Sequence, residues 1–309
     1  MPITVRSGEA WALSGSLGYA LNNLLSRVAS IQADPLVAVV YRSLPTFFFS
    51  SAMVLRRLRT GSTWVPWSLP LLLAALGHGT LTYLIGNSFF FASLRLGGVA
   101  VAVPITSTNV LWTALLAAFF LGEPLNRRLL LGITVAVAGV ILIALGRPPS
   151  VMVSRLSDWW WSIPFALITT FSWAGSGVVA RYALHRGADR FSLLTVSTAW
   201  GIPALILVLV LSGQAQLLWS TALVTVVNLL VAGVLTAGAL ISFTHAFATR
   251  TSMASISTIG SLNPVLSVIL AALLLGEVIT APIALGVAVV ISGVLLVELS
   301  QPKKAPMEA

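Results

Sequence analysis

Two segments decide the fold of this chain: Ala92–Leu125, ASLRLGGVAVAVPITSTNVLWTALLAAFFLGEPL, and Ala246–Ile279, AFATRTSMASISTIGSLNPVLSVILAALLLGEVI. A single shift of 154 residues, without a gap, aligns Ser88–Leu142 with Ser242–Leu296, and roughly a third of the aligned positions are identical. The informative matches are Asn109 with Asn263, Gly122-Glu123 with Gly276-Glu277, Gly132 with Gly286 and Gly139 with Gly293. Leucine, valine and alanine match by chance in apolar sequence, but these residues do not. The chain is therefore predicted to contain two copies of one unit.

The composition predicts that lipid is the main solvent of this protein. Of 309 residues, 58% are hydrophobic and only 8% are charged, and the mean hydropathy is +1.00. A soluble domain has about a quarter charged residues, and no soluble fold of this length can cover so much apolar surface. This excludes a cytosolic enzyme and a nucleic-acid-binding module. There are no cysteines, so no disulfide or thiolate metal site is expected, and we expect no metal or cofactor.

Ten stretches are long and apolar enough for helices that cross a membrane, which takes about 20 residues. Long unbroken apolar runs favour helices over barrel strands. The predicted all-α integral membrane protein has spans at Glu9–Ala29, Pro35–Leu55, Trp64–Leu94, Gly98–Leu121, Arg128–Leu145, Asp158–Leu184, Phe191–Leu211, Trp219–Thr249, Ser252–Leu275 and Thr280–Leu299.

The distribution of Lys and Arg predicts the orientation. With the N-terminus inside, the outer side holds only Arg27, Arg95, Arg147 and Arg155. The inner side then holds Arg6, Arg56, Arg57, Arg59, Arg127, Arg128, Arg181, Arg186, Arg190, Arg250, Lys303 and Lys304. Because positive charge accumulates on the cytoplasmic side, both termini are predicted to be cytoplasmic, in a multi-pass protein of the inner (plasma) membrane.

Each predicted unit, residues 1–150 and 151–309, contains five spans. An odd number inserts the second unit upside down relative to the first. Inverted repeats are characteristic of secondary transporters, because two such units can rock around a central site so that it faces either side in turn. A small-molecule substrate and membrane lipid are the expected partners, and a homodimer is left open.

The paired segments, each followed by a helix with spaced glycines, resemble the EamA branch of the drug/metabolite transporter superfamily. The resemblance covers nearly the whole chain. It implies a ten-helix inner-membrane carrier, and many such carriers export amino acids and other metabolites. One departure is that Asn263 is followed by Pro264 whereas Asn109 is followed by Val110, so the proline usual at this place is missing from the first unit.

The centres of spans four and nine are polar, with Thr108, Asn109, Ser261 and Asn263 near the middle. Polar residues in lipid are tolerated mainly where they face other helices or a water-filled cavity, and carriers place substrate sites at broken helices near the midplane. We therefore interpret them as candidate substrate ligands. The alternative is interhelical packing through hydrogen bonds.

Arg42 is the most informative charge, because it lies about two turns inside span two. It could bind a substrate carboxylate bidentately, or instead extend to the outer interface or pair with Asp34. No Asp or Glu lies at a span centre, which disfavours a substrate that is only cationic.

Further candidate substrate ligands are aromatic or imidazole side chains at membrane depth: His78, Tyr83, Trp112, Trp173 and Trp200. A histidine there can relay protons or donate to a ligand, and Gly77 and Gly79 would let a neighbouring helix approach it closely. The tryptophans could form an apolar wall or a cation–π contact with an ammonium group. Ordinary packing inside the bundle is the alternative for all five.

The matched Gly-Glu pairs are interpreted as turns and not as catalytic carboxylates. Each Gly would end one helix, and Glu123 or Glu277 would begin the next, where a carboxylate complements the helix dipole. Gly132, Gly139, Gly286 and Gly293 are interpreted as close-packing positions.

Three functional hypotheses follow. The first is a secondary carrier, not an enzyme, that exports amino acids or related small carboxylate-bearing metabolites by alternating access. The second is a flippase of lipids or lipid-linked sugars with the same fold, which needs a lateral opening between helices. The third is an intramembrane hydrolase that uses Ser176 with His245.

Overall fold

The computed structural model describes residues 7–60, 67–122, 127–146, 158–249, 256 and 259–298. Within these ranges the chain is helical without a β-strand, which confirms the prediction of an all-α protein. The helices of the first half are α1 (Ser7–Gln32), α2 (Pro35–Arg59), α3 (Leu69–Gly79), a π-helix (Thr80–Asn87), α4 (Ser88–Ser107), α5 (Asn109–Leu121) and α6 (Arg127–Leu145). Those of the second half are α7 (Ser162–His185), α8 (Arg190–Leu211), the short α9 (Gln216–Ser220), α10 (Leu223–Ala248), α11 (Leu262–Leu275) and α12 (Ala281–Glu298).

Six helical runs in the described residues are long and apolar enough to cross a membrane, so the chain is a multi-pass membrane protein. They are Pro35–Arg59, Leu69–Leu121, Arg127–Leu145, Trp159–His185, Arg190–Leu211 and Leu223–Ala246. Helix α1 is not among them, because it carries buried polar side chains, among them Asn22, Asn23 and Arg27. The count of ten spans therefore stays a prediction.

A break at Gly98 divides the longest run. Its 53 residues would measure about 80 Å as one straight helix, more than twice the hydrocarbon thickness of a bilayer. Gly98 adopts φ 73° and ψ −176°, a conformation essentially restricted to glycine. Residues 69–97 and 98–121 each have the length of one span, and the break falls where the sequence predicts the boundary between spans three and four.

The helix limits of the two halves recur at the same shift as the sequence, so that α6 corresponds to α12 and α2 to α8. These two pairs of corresponding helices each pack in antiparallel directions. In α6 and α12, Gly132 lies opposite Gly293 and Gly139 lies opposite Gly286, with a carbonyl oxygen 2.7–2.8 Å from the point that a Cβ would occupy. The prediction that these glycines permit close packing is confirmed.

Helices also pack across the two halves, in pairs that the repeat relates to each other. Helix α1 lies along α10, while its counterpart α7 lies along α3, the π-helix and α4. Helices α2 and α8 contact each other through Ser50 and Thr195, whose hydroxyl oxygens are 3.0 Å apart, and through the ion pair of Arg57 with Asp189 nearer one membrane face. The contact of α1 with α10 and that of α7 with α3 are thus related by the repeat, whereas α2 with α8 is a contact between counterparts.

The two matched glycines end their helices, as predicted. Gly122 follows α5 with φ 68°, and Gly276 follows α11 with φ 65°. The prediction that Glu277 begins the next helix is wrong, because α12 begins at Ala281 and the Glu277 carboxylate instead accepts hydrogen bonds from the backbone after Gly98. Glu123 lies outside the described residues.

Candidate functional site

Arg42 lies in the interior of the bundle and is 8% exposed. Its guanidinium lies over the rings of Phe90 and Phe91, 5.9 and 5.0 Å from their centroids. In the described ranges it forms no ion pair. Asp34, the predicted alternative partner, instead caps α2 by accepting a hydrogen bond from the Leu36 amide at 2.9 Å. The structure therefore favours the interior position over both alternatives.

An aromatic wall continues from Arg42 into the second half. The Phe90 ring lies 5.2 Å from the ring of Trp173 on α7, at an interplanar angle of 48°. The Trp173 indole lies directly over Gly86, where a Cβ would be only 2.5 Å from Cδ1. Arg42, Phe90 and Trp173 thus form one continuous surface built by helices of both halves.

Tyr83 belongs to the same region. It is buried on the π-helix, its hydroxyl lies 2.8 Å from Oγ1 of Thr198 on α8, and its ring packs against Gly201. Tyr83 packs in the same cluster of buried side chains as Phe91, whose ring lies under the Arg42 guanidinium. A phenol that both donates and accepts therefore stands beside the buried cation.

His78 lies in the last turn of α3, directly before the π-helix, and is 8% exposed. Its Nδ1 has no hydrogen-bond partner in the described part of the chain. The expected close approach is confirmed at Gly79, where a Cβ would clash with the backbone of Ser197, but Gly77 faces open space. π-Helices occur frequently at functional sites.

Both halves have a helix break near the predicted polar centres. Thr108 separates α4 from α5 and Ser261 precedes α11, with nearly identical backbone angles, φ −69° and ψ −8° against φ −70° and ψ −6°. Thr108 Oγ1 donates to Ile105 O at 2.7 Å, and Ser107 Oγ donates to Pro104 O at 2.6 Å. Such bonds bend helices, so the first half breaks without a proline after Asn109.

Asn109 and Asn263, two of the predicted polar ligands, have different surroundings. Asn109 is the half-buried first residue of α5, beside the break. Asn263 accepts a hydrogen bond from Asn23 Nδ2 at 3.4 Å, and the same nitrogen donates to Ser267 Oγ at 3.0 Å. Asn263 therefore contributes to the packing of α1 on α11, as the alternative interpretation holds.

Two of the three mid-span tryptophans lie away from Arg42. Trp200 is 42% exposed and donates from Nε1 to Thr80 Oγ1 at 2.9 Å. Trp112 packs against Phe171, a residue that is 45% exposed, with ring centroids 4.7 Å apart. Only Trp173 joins the Arg42 region.

The residues of the hydrolase hypothesis have separate partners. Ser176 accepts a hydrogen bond from Thr82 Oγ1 at 2.8 Å. The His245 ring stacks on Trp11 of α1, with centroids 5.0 Å apart. The structure thus gives Ser176 no histidine as a base.

Sequence reasoning missed two features of this region. The first is the contact of Phe90 and Phe91 with Arg42, because nothing in the sequence distinguishes these two phenylalanines from other apolar residues. The second is the ion pair of Arg27 with Glu277, because the sequence places Arg27 at the outer end of span one and Glu277 in a turn. A signal existed, since the same shift that relates the repeats pairs Arg27 with Arg181 and Glu277 with Glu123.

Comparisons with known proteins agree with the two-unit fold. The EamA-like transporter family matches residues 6–145 and again residues 160–299. An uncharacterized transporter in the cobO 3' region of Sinorhizobium sp is 29% identical over 145 residues, which are 45% of this chain and 97% of that protein. That relative corresponds in length to one unit.

A protein of known crystal structure has the same fold. It superposes with a TM-score of 0.59 over 94% of this chain and 96% of its own, at 16% identity. Together with the two family matches, which cover both halves, this likeness leaves one conclusion: the chain belongs to the EamA-like transporter family and is a membrane transporter.

Proposed function

We propose that this protein is a secondary transporter of the inner (plasma) membrane that exports amino acids or related small carboxylate-bearing metabolites by alternating access. The observation that carries the proposal is the buried Arg42 guanidinium, which has no carboxylate partner among the described residues. A charge in a membrane interior is costly and is usually paired, or it faces a cavity that serves function. A substrate carboxylate would supply the missing partner.

The chemistry around Arg42 suits an amino acid. A guanidinium binds a carboxylate through two parallel hydrogen bonds. Trp173, which is only partly buried, offers an indole face to an apolar side chain or an ammonium group, while the buried rings of Phe90 and Phe91 hold the guanidinium. Tyr83 adds a hydroxyl oxygen that can accept from the ammonium group, since its proton is donated to Thr198 Oγ1, which itself donates to Leu194 O.

The proposed mechanism is rocking of two inverted units, residues 1–150 and 151–309, each with five of ten spans. The antiparallel packing of α6 on α12 and of α2 on α8 supports inversion, because these are corresponding helices. The matching breaks at Thr108 and Ser261 support a shared central site. Non-helical backbone at membrane depth is where transporters bind substrate.

The test compares Arg42→Gln with Arg42→Lys in proteoliposomes. Counterflow is measured for a panel of amino acids, with the corresponding decarboxylated amines as control substrates. Arg42→Gln should lower kcat/KM for the transported amino acids by roughly tenfold to a hundredfold, because one charge-assisted interaction is lost. Arg42→Lys should retain part of the activity.

Correct elution and unchanged thermal unfolding in detergent would show that both variants fold. If Arg42→Gln transports every amino acid of the panel as fast as the parent chain, the proposed role of Arg42 is wrong. If no amino acid counterflows in the parent chain, the proposed substrate class is wrong.

A specific observation supports a lipid flippase as second candidate. An apolar groove of about 520 Å³ lies between α3, α5 and α7, and its lining includes Pro70, Leu73, Gly77, Leu116, Phe120 and Val178. Leu73 and Phe120 are 58% and 75% exposed, so the groove opens on the lipid-facing surface and could hold an acyl chain. Scrambling of a fluorescent phospholipid in the same proteoliposomes would favour this function over amino-acid export.

A further inference from the structure

A buried ion pair joins the end of α1 to the segment that follows α11. Arg27 Nε donates to Glu277 Oε1 at 3.1 Å, and the two side chains are only 6% and 14% exposed. The second described ion pair, Arg57 with Asp189, has one side chain 49% exposed. Burial of two charges is costly unless further hydrogen bonds satisfy them, so the remaining contacts of the first pair are decisive.

These contacts hold both sides of the Gly98 break. Arg27 Nη1 donates to the carbonyl oxygens of Leu94 and Arg95, which precede the break. Glu277 accepts from the amides of Val99 at 3.0 and 3.1 Å and of Ala100 at 3.1 Å, which follow it. One ion pair therefore ties α1, both parts of the broken helix and the end of α11 together.

The backbone at Gly98 is shaped around the carboxylate. A Cβ at this position would lie 2.5 Å from Glu277 Oε1 and 2.8 Å from Cδ, so no larger residue fits while the carboxylate is bound. The positive φ of Gly98 aims the next two amides at the same acceptor. The Gly98 backbone and the Glu277 carboxylate therefore fit each other closely, and their contact is not an incidental surface contact.

We propose that Arg27 and Glu277 are gate residues that hold the transporter closed at the membrane face where α1 ends. The proposal rests on alternating access as proposed above. Opening the central site to this face requires α1 to separate from the broken helix or from the end of α11, and the ion pair joins all three. In the predicted orientation this is the outer face.

The repeat aligns Arg181 with Arg27 and Glu123 with Glu277 in sequence. Glu123 lies outside the described residues, so the gate proposal concerns the Arg27–Glu277 pair.

The experiment measures opening directly and needs no substrate. Because the chain has no cysteine, Ser107→Cys, at the end of α4, gives a single thiol. Its labelling by a membrane-impermeant maleimide is timed from each side, in intact cells and in inverted vesicles. Glu277→Gln should accelerate labelling from the face where α1 ends by roughly tenfold or more, because loss of a buried charge-assisted pair raises the population of the open state.

Arg27→Lys is the second variant, since it keeps the charge but cannot span Glu277 and both carbonyls, and it should accelerate labelling from the same face less strongly. Arg57→Gln, which breaks the exposed pair, is the matched control and should leave that rate unchanged. Unaltered labelling in both folded gate variants, or equal acceleration in the control, overturns the proposal. Accelerated labelling without amino-acid counterflow would refute the proposed substrate and leave the gate standing.

Discussion

At the scale of single residues, burial and neighbours decide what a side chain does. Arg42 and Arg27 are both buried arginines of the first two helices, yet Arg27 is hydrogen-bonded to Glu277 and two carbonyls, whereas Arg42 lies over two rings and has no carboxylate partner among the described residues. The first arrangement pairs a charge within the protein, and the second leaves it available to a ligand. For this reason we propose a gate role for Arg27 and substrate binding for Arg42.

Trp173 and Trp200 test this distinction, because only Trp173 contacts the Arg42 region. Trp173→Ala removes a ring of the aromatic wall and should raise KM for amino acids with large apolar side chains roughly tenfold, with a smaller effect on glycine or alanine. Trp200→Phe, at a half-exposed position, is the control and should transport as the parent chain does. A larger loss in Trp200→Phe than in Trp173→Ala would contradict the assignment.

At the scale of helices, small residues set how closely the elements approach. The α6–α12 contact has glycines on both sides, so backbone meets backbone. Interfaces between membrane helices depend on such close packing because lipid supplies no hydrophobic force between them. The glycine stripes of the repeat thus explain why these helices pair.

A comparison of Gly139→Ala with Gly77→Ala separates the effect of helix packing on stability from the effect of helix propensity. A Cβ on Gly139 would lie 2.6 Å from the Val290 amide nitrogen, whereas a Cβ on Gly77 would meet no atom within 4 Å. We expect Gly139→Ala to destabilise the protein by about 1–3 kcal/mol, whereas Gly77→Ala should leave stability unchanged or raise it by up to about 1 kcal/mol, because alanine favours a helix more than glycine does. Apparent Tm in detergent is the measurement, and equal Tm values for the two variants would show that the helices do not pack through Gly139.

At the scale of the whole molecule, two units interlock so that the candidate site belongs to neither alone. Arg42, Tyr83 and Phe90 come from the first unit, and Trp173 comes from the second. In this chain both units are covalently joined, so their contributions can differ, as Asn109 and Asn263 do.

The orientation of the molecule is a prediction for both chain ends. A reporter fused at Met1 or after Ala309 should be cytoplasmic, because ten predicted spans put both ends on one side and the excess of Arg and Lys predicts that this side is the inner one. Protease protection or a compartment-sensitive fluorophore checks each fusion. An external C-terminal reporter with an internal N-terminal one would mean an odd number of spans and would exclude two inverted five-helix units.

Much of the fold can be predicted from the sequence, because the lengths of apolar segments, the repeat and the positions of glycines are visible in it. Apolar length predicts membrane helices, the shift of 154 residues predicts two units, and Gly122 and Gly276 mark helix ends that the structure contains. The boundary at Gly98 was also predictable, since glycine alone tolerates the conformation found there. These features depend on the lengths of apolar segments and on backbone stereochemistry, and residues close together in the sequence determine both.

The tertiary structure alone decided which candidates meet. Sequence position placed Trp112, Trp173 and Trp200 equally near mid-span, but a rotation of a few residues around a helix axis separates a lining residue from a lipid-facing one. The tertiary structure likewise brings Arg27 and Glu277 together, although 250 residues separate them in sequence. Contacts of that kind depend on how helices pack in three dimensions, and no local signal in the chain encodes them.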